Sequence, residues 1–148
     1  MKFNEGRIGR VFILRLEDGD VIPDCIEKFA LEQKVAVGQV TLIGGIGSGE
    51  VVAGPRLSDE MPPDPILLPV DGAHEAAGVG LLAPAEDGKP VLHMHASLGR
   101  AGKSLTGCLR PGVSTWLVGE VVIYEILNAD VKRKMDRESG FVLLDVVR

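Results

Sequence analysis

The sequence predicts an α+β fold, in which a largely antiparallel β-sheet carries one main α-helix within a single domain over residues 1–148. Only the segment around 21–34 has apolar residues at helical spacing, whereas about eight or nine short segments have the apolar pattern of strands. The chain also contains 19 Gly and 9 Pro, a composition that favours many strands with tight turns over a helical bundle.

The first elements are a strand over 10–16, a turn over 17–20 and the helix over about 21–34. Asp20 stands at the position of a helix cap, and Pro23 suits a first helical turn. Cys25 belongs to the apolar stripe of this helix, so we interpret it as a core residue rather than a metal ligand. The stripe consists of Ile22, Cys25, Ile26, Phe29 and Ala30.

The remainder of the chain is predicted to form strands joined by turns, with a Pro-rich loop over 55–65. The strand over 116–127 is apolar on both faces apart from Glu120 and Glu125. In so small a domain, this indicates that a subunit interface covers one face. The other predicted strands cover 37–46, 50–53, 66–70, 76–83, 90–98, 104–109 and 141–147.

Charge and composition exclude several classes of protein. The net charge is −5, which argues against direct DNA binding, because a protein that binds phosphates usually presents a basic surface. We interpret the basic run over 132–134 as a solvated turn.

The two cysteines, Cys25 and Cys108, have no disulfide-framework spacing. The N-terminus lacks an apolar signal core, and no segment approaches the roughly 20 apolar residues of a membrane span, so we expect a cytoplasmic protein.

A glycine-rich segment over 43–49 follows a predicted strand, as a dinucleotide-binding loop would. Its spacing differs from G-x-G-x-x-G, and a strand rather than a helix follows it, so a pyrophosphate would lack a helix N-terminus. We therefore interpret these glycines as a bend or bulge of the sheet, or as a close approach of backbones between subunits.

The most informative segment is the strand over 90–98, because it holds two of the three histidines, His93 and His95, one residue apart. Apolar residues alternate with them, so both imidazoles lie on the same polar face. Their Cβ atoms are then roughly 7 Å apart, close enough for both rings to reach one metal ion. Two exposed histidines without a ligand are the alternative interpretation.

The next strand supplies a third candidate ligand, Cys108. If the hairpin over 90–109 pairs residues whose numbers sum to 203, Cys108 lies directly opposite His95. A register slip of one residue would turn Cys108 to the other face, so this prediction is strict.

Two imidazoles and a thiolate favour zinc over magnesium or calcium. Three protein ligands with an open fourth position are typical of catalytic zinc, which makes a bound water acidic enough to attack near neutral pH. Glu75 is a candidate general base, and either His74 or Glu75 is a candidate acceptor for a ligating imidazole. A plain loop histidine is the alternative for His74.

Taken together, these segments resemble the plant and prokaryote conserved (PPC) domain. The resemblance rests on the strand and turn ending at 15–20, the glycine segment 43–49, Glu75, the segment 87–95, the strand that includes 120–123 and the tail over 133–141. It extends through nearly the whole chain, and the segment around His93 and His95 is its most specific part. At 106–109 the family usually has Gly-Gly-His-Leu, whereas this chain has Cys108 at the histidine position.

The resemblance implies an antiparallel sheet with one helix, assembled as a homotrimer. Plant members carry the domain behind AT-hook motifs and act in DNA-linked regulation, mainly through protein–protein contacts. This chain has no AT-hook core (Arg-Gly-Arg-Pro) and resembles the stand-alone prokaryotic members.

Two functions from different classes therefore remain. The first is a homotrimeric assembly and regulatory module, associated with DNA through partner proteins, with a zinc site at His93, His95 and Cys108. The second is a zinc-dependent enzyme that activates water for attack on a small molecule. A metal or ligand sensor on the same residues is a third hypothesis.

Overall fold

The computed structural model describes residues 1–146, which form one α-helix and nine β-strands. The elements in chain order are β1 (Arg7–Glu17), β2 (Val21–Ile22), α1 (Asp24–Glu32), β3 (Gly38–Pro55), β4 (Pro65–Pro84), β5 (Pro90–Arg100), β6 (Lys103–Leu109), β7 (Val113–Leu127), β8 (Val131–Met135) and β9 (Val142–Val146). The predicted largely antiparallel sheet with one main helix is confirmed.

The main sheet has the strand order β1-β7-β3-β4-β5-β6, with the short β2 paired to β7. All of its pairings are antiparallel. The β3 register shifts between Ile46 and Ser48, and beyond this point Val51 and Val52 of β3 pair with β6. The bend in β3 therefore brings the end strand β6 back onto β3, so that β3, β4, β5 and β6 form a closed set of pairings.

The glycine segment 43–49 lies in this long bent strand, as the bend-or-bulge interpretation predicts. The β3–β7 register shifts between Gly44 and Gly45, and a Cβ on Gly45 would collide with the carbonyl oxygen of Trp116. The close approach of backbones is therefore found within the chain, between β3 and β7. The predicted strands 37–46 and 50–53 are one strand, and those over 66–70 and 76–83 likewise merge into β4.

One face of the sheet, called the covered face below, packs against α1. Ile26 and Ala30 of the helix are fully buried against it, and Cys25 is a partly buried member of the same core, as predicted. The C-terminal end of the helix is held by Arg10, which donates to the Gln33 carbonyl and forms an ion pair with Glu125.

Two local predictions are wrong. The helix covers Asp24–Glu32 rather than 21–34, since residues 21–22 pair with β7. Asp20 does not cap it but accepts the Glu17 N–H within the preceding turn. The basic run 132–134 is not a solvated turn but lies in β8, which pairs with β9, and Arg133 is only 4% exposed. The predicted strand 141–147 corresponds to β9, and residue 147 lies outside the described residues.

The opposite face of the sheet, called the open face, carries large apolar side chains that nothing in the described chain covers. Ile13 of β1 is 82% exposed, and Ile43 of β3 and Val79 of β4 are each 58% exposed. Val11 and Tyr124, which pair across β1 and β7, are also exposed. The described residues include no helix with the length and apolar character that crossing a membrane requires.

Candidate metal centre

The three predicted metal ligands lie on the open face, on the two strands β5 and β6. A single row of residues, each paired with the next across neighbouring strands, crosses six strands of the sheet. The row begins at an apolar residue of β1 and ends at two of the candidate ligands, on β5 and β6. Its members in order are Ile13, Val122, Thr41, Val79, His95 and Cys108. The predicted register, in which Cys108 lies opposite His95, is confirmed.

The two imidazoles meet above the strand. The Nε2 atoms of His93 and His95 are 3.1 Å apart, so that one of these nitrogens donates a hydrogen bond to the other. The ring planes are nearly perpendicular, at 82°. The available ligand atoms of His93, His95 and Cys108 all lie within 4.8 Å of one another.

Cys108 is held in position from both sides. It pairs with His95 of β5 and with Val52 at the bent end of β3. The β3 backbone comes so close to β6 that a Cβ on Gly107 would collide with the Val52 carbonyl oxygen. Because both neighbours fix the register of β6, the face to which Cys108 points is fixed as well.

This geometry fits a tetrahedral zinc ion. Zn–N and Zn–S bonds of about 2.0–2.3 Å place the ligand atoms of such a site about 3.3–3.6 Å apart. The observed imidazole spacing of 3.1 Å is close to this range, and small side-chain rotations would bring the thiol into it. Two histidines and one cysteine leave one tetrahedral position without a protein ligand.

The electrostatic surroundings favour the uncharged forms of His93 and Cys108. Desolvation lowers the pKa of His93, and the charges of Arg133 and His95 lower it further. Burial raises the pKa of Cys108, against the opposite effect of Arg110 and Arg133. His93 is therefore neutral and ready to coordinate, whereas binding at Cys108 must release the thiol proton.

His74 and Glu75 lie farther along the sheet. Glu75 pairs with Gly99, four residues from the Val79–His95 pair, which corresponds to about 13 Å along the strand. The Nδ1 atom of His74 donates to the Gly72 carbonyl. Within one chain neither residue touches the candidate metal group, and the general-base role of Glu75 stays a prediction.

Two functional candidates near this group were missed by the sequence analysis, Glu27 on α1 and Arg133 on β8. Both line a cavity of about 600 Å³ between the helix, the β4–β5 turn and the β8–β9 hairpin. Glu27 resembled an ordinary polar residue of a surface helix, and Arg133 a member of a solvated basic run. No local signal marks either of them, because only the tertiary structure brings them together.

Comparison with known proteins shows the family to which the chain belongs. The model of the Plants and Prokaryotes Conserved (PCC) domain matches residues 3–127. The chain therefore belongs to the PCC domain family, the same family as the PPC domain that it resembles. None of the curated proteins compared with the sequence matches it.

Solved structures agree with this assignment. A PPC protein from Pyrococcus horikoshii has a TM-score of 0.85 at 21% identity, with coverage of 100% of this chain and 99% of that one. A metal-containing protein from Archaeoglobus fulgidus has a TM-score of 0.82 at 24% identity, with 97% and 98% coverage. A protein from Bacteroides thetaiotaomicron, to which its name gives a proposed DNA-binding role, has a TM-score of 0.79 at 18% identity, with 98% and 100% coverage. At these identities the likeness establishes the fold.

Proposed function

We propose that the protein is a PCC-type assembly module that forms a homotrimer and holds one zinc ion per chain on His93, His95 and Cys108. The observation that carries this proposal is the row of paired residues from Ile13 to Cys108. It puts an uncovered apolar surface and a group of three metal ligands on the same face of one sheet.

The assembly part of the proposal is supported by the apolar side chains of the open face. An exposed contiguous apolar surface marks an interaction site, since burial of apolar area stabilises an interface by about 25 cal/mol per Å². Ile13, Ile43 and Val79 are each more than half exposed. A second copy of the chain is the occupant that the family resemblance implies, and the number of three chains comes from that resemblance.

The metal part is supported by the ligand types and their spacing. Imidazole and thiolate are borderline to soft ligands, so zinc is favoured over magnesium or calcium. The metal-containing relative from Archaeoglobus fulgidus has the same fold, which is consistent with a metal site in this architecture.

The regulatory part concerns partners. With a net charge of −5 the chain has no overall electrostatic attraction to DNA, so we assign any association with DNA to partner proteins rather than to direct phosphate contacts. A cytoplasmic location is part of the same proposal.

Metal analysis of protein purified without a histidine tag tests the site. We expect about one zinc per chain, lost in the double variant His93→Ala/His95→Ala and retained in the control His74→Ala. Native protein that contains no metal, and that takes up none from added zinc, would contradict the proposed site.

The alternative function, a zinc-dependent enzyme, is favoured by one specific observation: within residues 1–146 the candidate metal group consists of three residues, and two of them are exposed. A zinc ion with an open position supplies a bound water of pKa about 7, a nucleophile at neutral pH. In that case His93, His95 and Cys108 would orient the ion toward the open face. Activity against a panel of small esters and amides, measured for the zinc-loaded protein and the double histidine variant, tests this alternative. Equal rates for the two proteins would eliminate it.

A further inference from the structure

A second candidate site lies outside the metal group, in the cavity of about 600 Å³ between α1, the β4–β5 turn and the β8–β9 hairpin. We call it the hairpin cleft. Its volume falls within the range of small-molecule sites. The β8 and β9 strands that close it lie outside residues 3–127, which the family model matches.

The hairpin cleft contains a buried cation, Arg133. Its Nη2 atom donates to the Leu81 carbonyl at 2.9 Å and its Nε atom to the Val91 carbonyl at 3.4 Å. Within residues 1–146 no carboxylate lies within ion-pair distance of its guanidinium. A buried arginine is ordinarily paired, since an unpaired buried charge is costly. Two carbonyl contacts also leave part of the five-donor guanidinium unused.

Glu27 is the second polar group of the cleft. One oxygen, Oε1, accepts the backbone N–H of Leu92 at 2.8 Å, and burial raises the pKa of the carboxyl. Glu27 does not form an ion pair with Arg133. Among the described residues the Oε2 atom has no hydrogen-bond partner, so it is available to a polar group of a ligand.

Apolar side chains provide the rest of the lining. Leu31 of α1, Met135 of β8 and Val142 of β9 are each close to half exposed or more, at 54%, 58% and 46%. Together with Val91 they form an apolar surface that faces the cleft. The lining also includes Lys28 of α1 and Lys89, and Lys89 is paired with Asp87. Such an apolar surface beside the buried Arg133 suits a ligand with an apolar body and one anionic end.

We propose that the hairpin cleft binds a small monocarboxylate with an apolar body, whose carboxylate pairs with Arg133. A planar guanidinium matches a carboxylate in a bidentate geometry. The acidic side chains Asp24 and Glu86 outnumber Lys28 at the rim and disfavour a dianion such as phosphate, and the third rim acid, Asp87, is already paired with Lys89. The site does not require the metal, although Val91 is only two residues before His93 on the same strand.

The test is a titration of ¹⁵N-labelled protein, kept metal-free with chelator, with acetate, hexanoate and 3-phenylpropionate, followed by amide chemical shifts. We expect saturable shifts at Val91 and Met135, with a Kd of about 1 mM or tighter for the best of the two larger acids. The neutral isostere 3-phenylpropan-1-ol should bind at least about tenfold more weakly than its acid, because it lacks the charge that pairs with Arg133.

Three variants separate binding from folding. Arg133→Met removes the cation and should weaken the acid at least about tenfold without changing the alcohol. Val142→Trp fills the cleft from an exposed strand and should weaken both ligands. Lys132→Met, the neighbouring control on β8, should leave binding unchanged. Thermal unfolding checks that each variant is folded. If Arg133→Met is unfolded, the proposal is tested by the comparison of acid with alcohol and by Val142→Trp.

Three results would overturn the proposal. The first is that none of the three acids gives saturable shifts, and the second is that acid and alcohol bind equally. The third is saturation by inorganic phosphate in preference to the carboxylates, which would contradict the assigned ligand class. Since the protein in this titration is metal-free, none of these results depends on the zinc site.

Discussion

The covered and open faces of the main sheet use similar apolar residues and differ in what packs on them. On the covered face the helix buries Ile26 and Ala30 completely, whereas on the open face Ile13 and Val79 remain 82% and 58% exposed. Alternation along each strand gives both faces large side chains, but the described part of the chain contains one helix, enough for one face. The open face is therefore the surface that we propose for contact with another chain, and the three candidate metal ligands lie at one end of it.

The largest expected effect is on zinc affinity, which should depend on the metal group and not on the apolar residues of the open face. The double variant His93→Ala/His95→Ala should lose zinc affinity by more than about 100-fold, since even residues that only support a metal ligand can contribute 10- to 100-fold. Chelator competition measures the affinity. Oligomeric state, measured on the same samples, should be retained, because the apolar residues of the face are unchanged. A variant that keeps native zinc affinity would show that the ion is held elsewhere.

The next effect concerns the apolar part of the face. The double variant Ile13→Asp/Ile43→Asp should dissociate the oligomer into monomers, because a desolvated carboxylate opposes burial of the interface. Sedimentation velocity measures the change. The control is Leu57→Asp, which places one such charge at a leucine of the loop 56–64 that is 53% exposed, close to the 58% of Ile43. If the double variant remains oligomeric, or if the control dissociates equally, the open face is not the interface.

Substitutions of Cys108 should have a smaller effect on zinc affinity, and its size should depend on the residue that replaces the cysteine. Cys108→Ser should weaken zinc binding by about 10- to 100-fold, because it replaces a thiolate with a poor ligand. Cys108→His should restore tight binding, since imidazole is also a good zinc ligand and the register keeps the side chain on the open face. Competition titrations of both variants against the native protein provide the comparison. Native affinity in Cys108→Ser would remove Cys108 from the site.

The smallest effect concerns the covered face, where Arg10 joins the helix end to β7. The Arg10 guanidinium lowers the pKa of Glu125 to about 2, below its unfolded value. The stability from this pair is therefore present above about pH 4.5 and is lost as the pH falls toward 2. Glu125→Gln should cost about 1–2 kcal/mol at neutral pH and reduce the acid dependence.

Denaturant unfolding at pH 7 and pH 3 measures this effect. The control Glu120→Gln removes a carboxylate from the open-face side of the same strand and should leave stability at pH 7 unchanged. Equal stabilities of Glu125→Gln and native protein at both pH values would contradict a stabilising role of the pair.

The sequence was most predictive where short-range pairing decides the structure. The hairpin over 90–109 has a tight turn and strict alternation, so the partnership of His95 with Cys108 followed from residue numbering alone. The bend at the glycine segment was likewise expected, whereas the close backbone approach was expected between subunits and is found at Gly45 within the chain.

Sequence reasoning failed where distant segments compete for the same residues. Asp20 has the chemistry of a cap, but pairing of residues 21–22 with β7 displaces the helix start beyond its reach. Arg133 has the context of a surface turn, and its burial depends on carbonyl groups of Leu81 and Val91, more than 40 residues earlier. Neither outcome could be predicted from the residues that lie next to these positions in the sequence.

The central claim is that the open face combines assembly with metal binding, and native mass spectrometry of the untagged protein tests both parts at once. We expect a species of three chains that carries three zinc ions. The same measurement on His93→Ala/His95→Ala should give three chains without metal. A native protein that is monomeric, or one that is assembled but carries no zinc even after zinc is added, would contradict the claim.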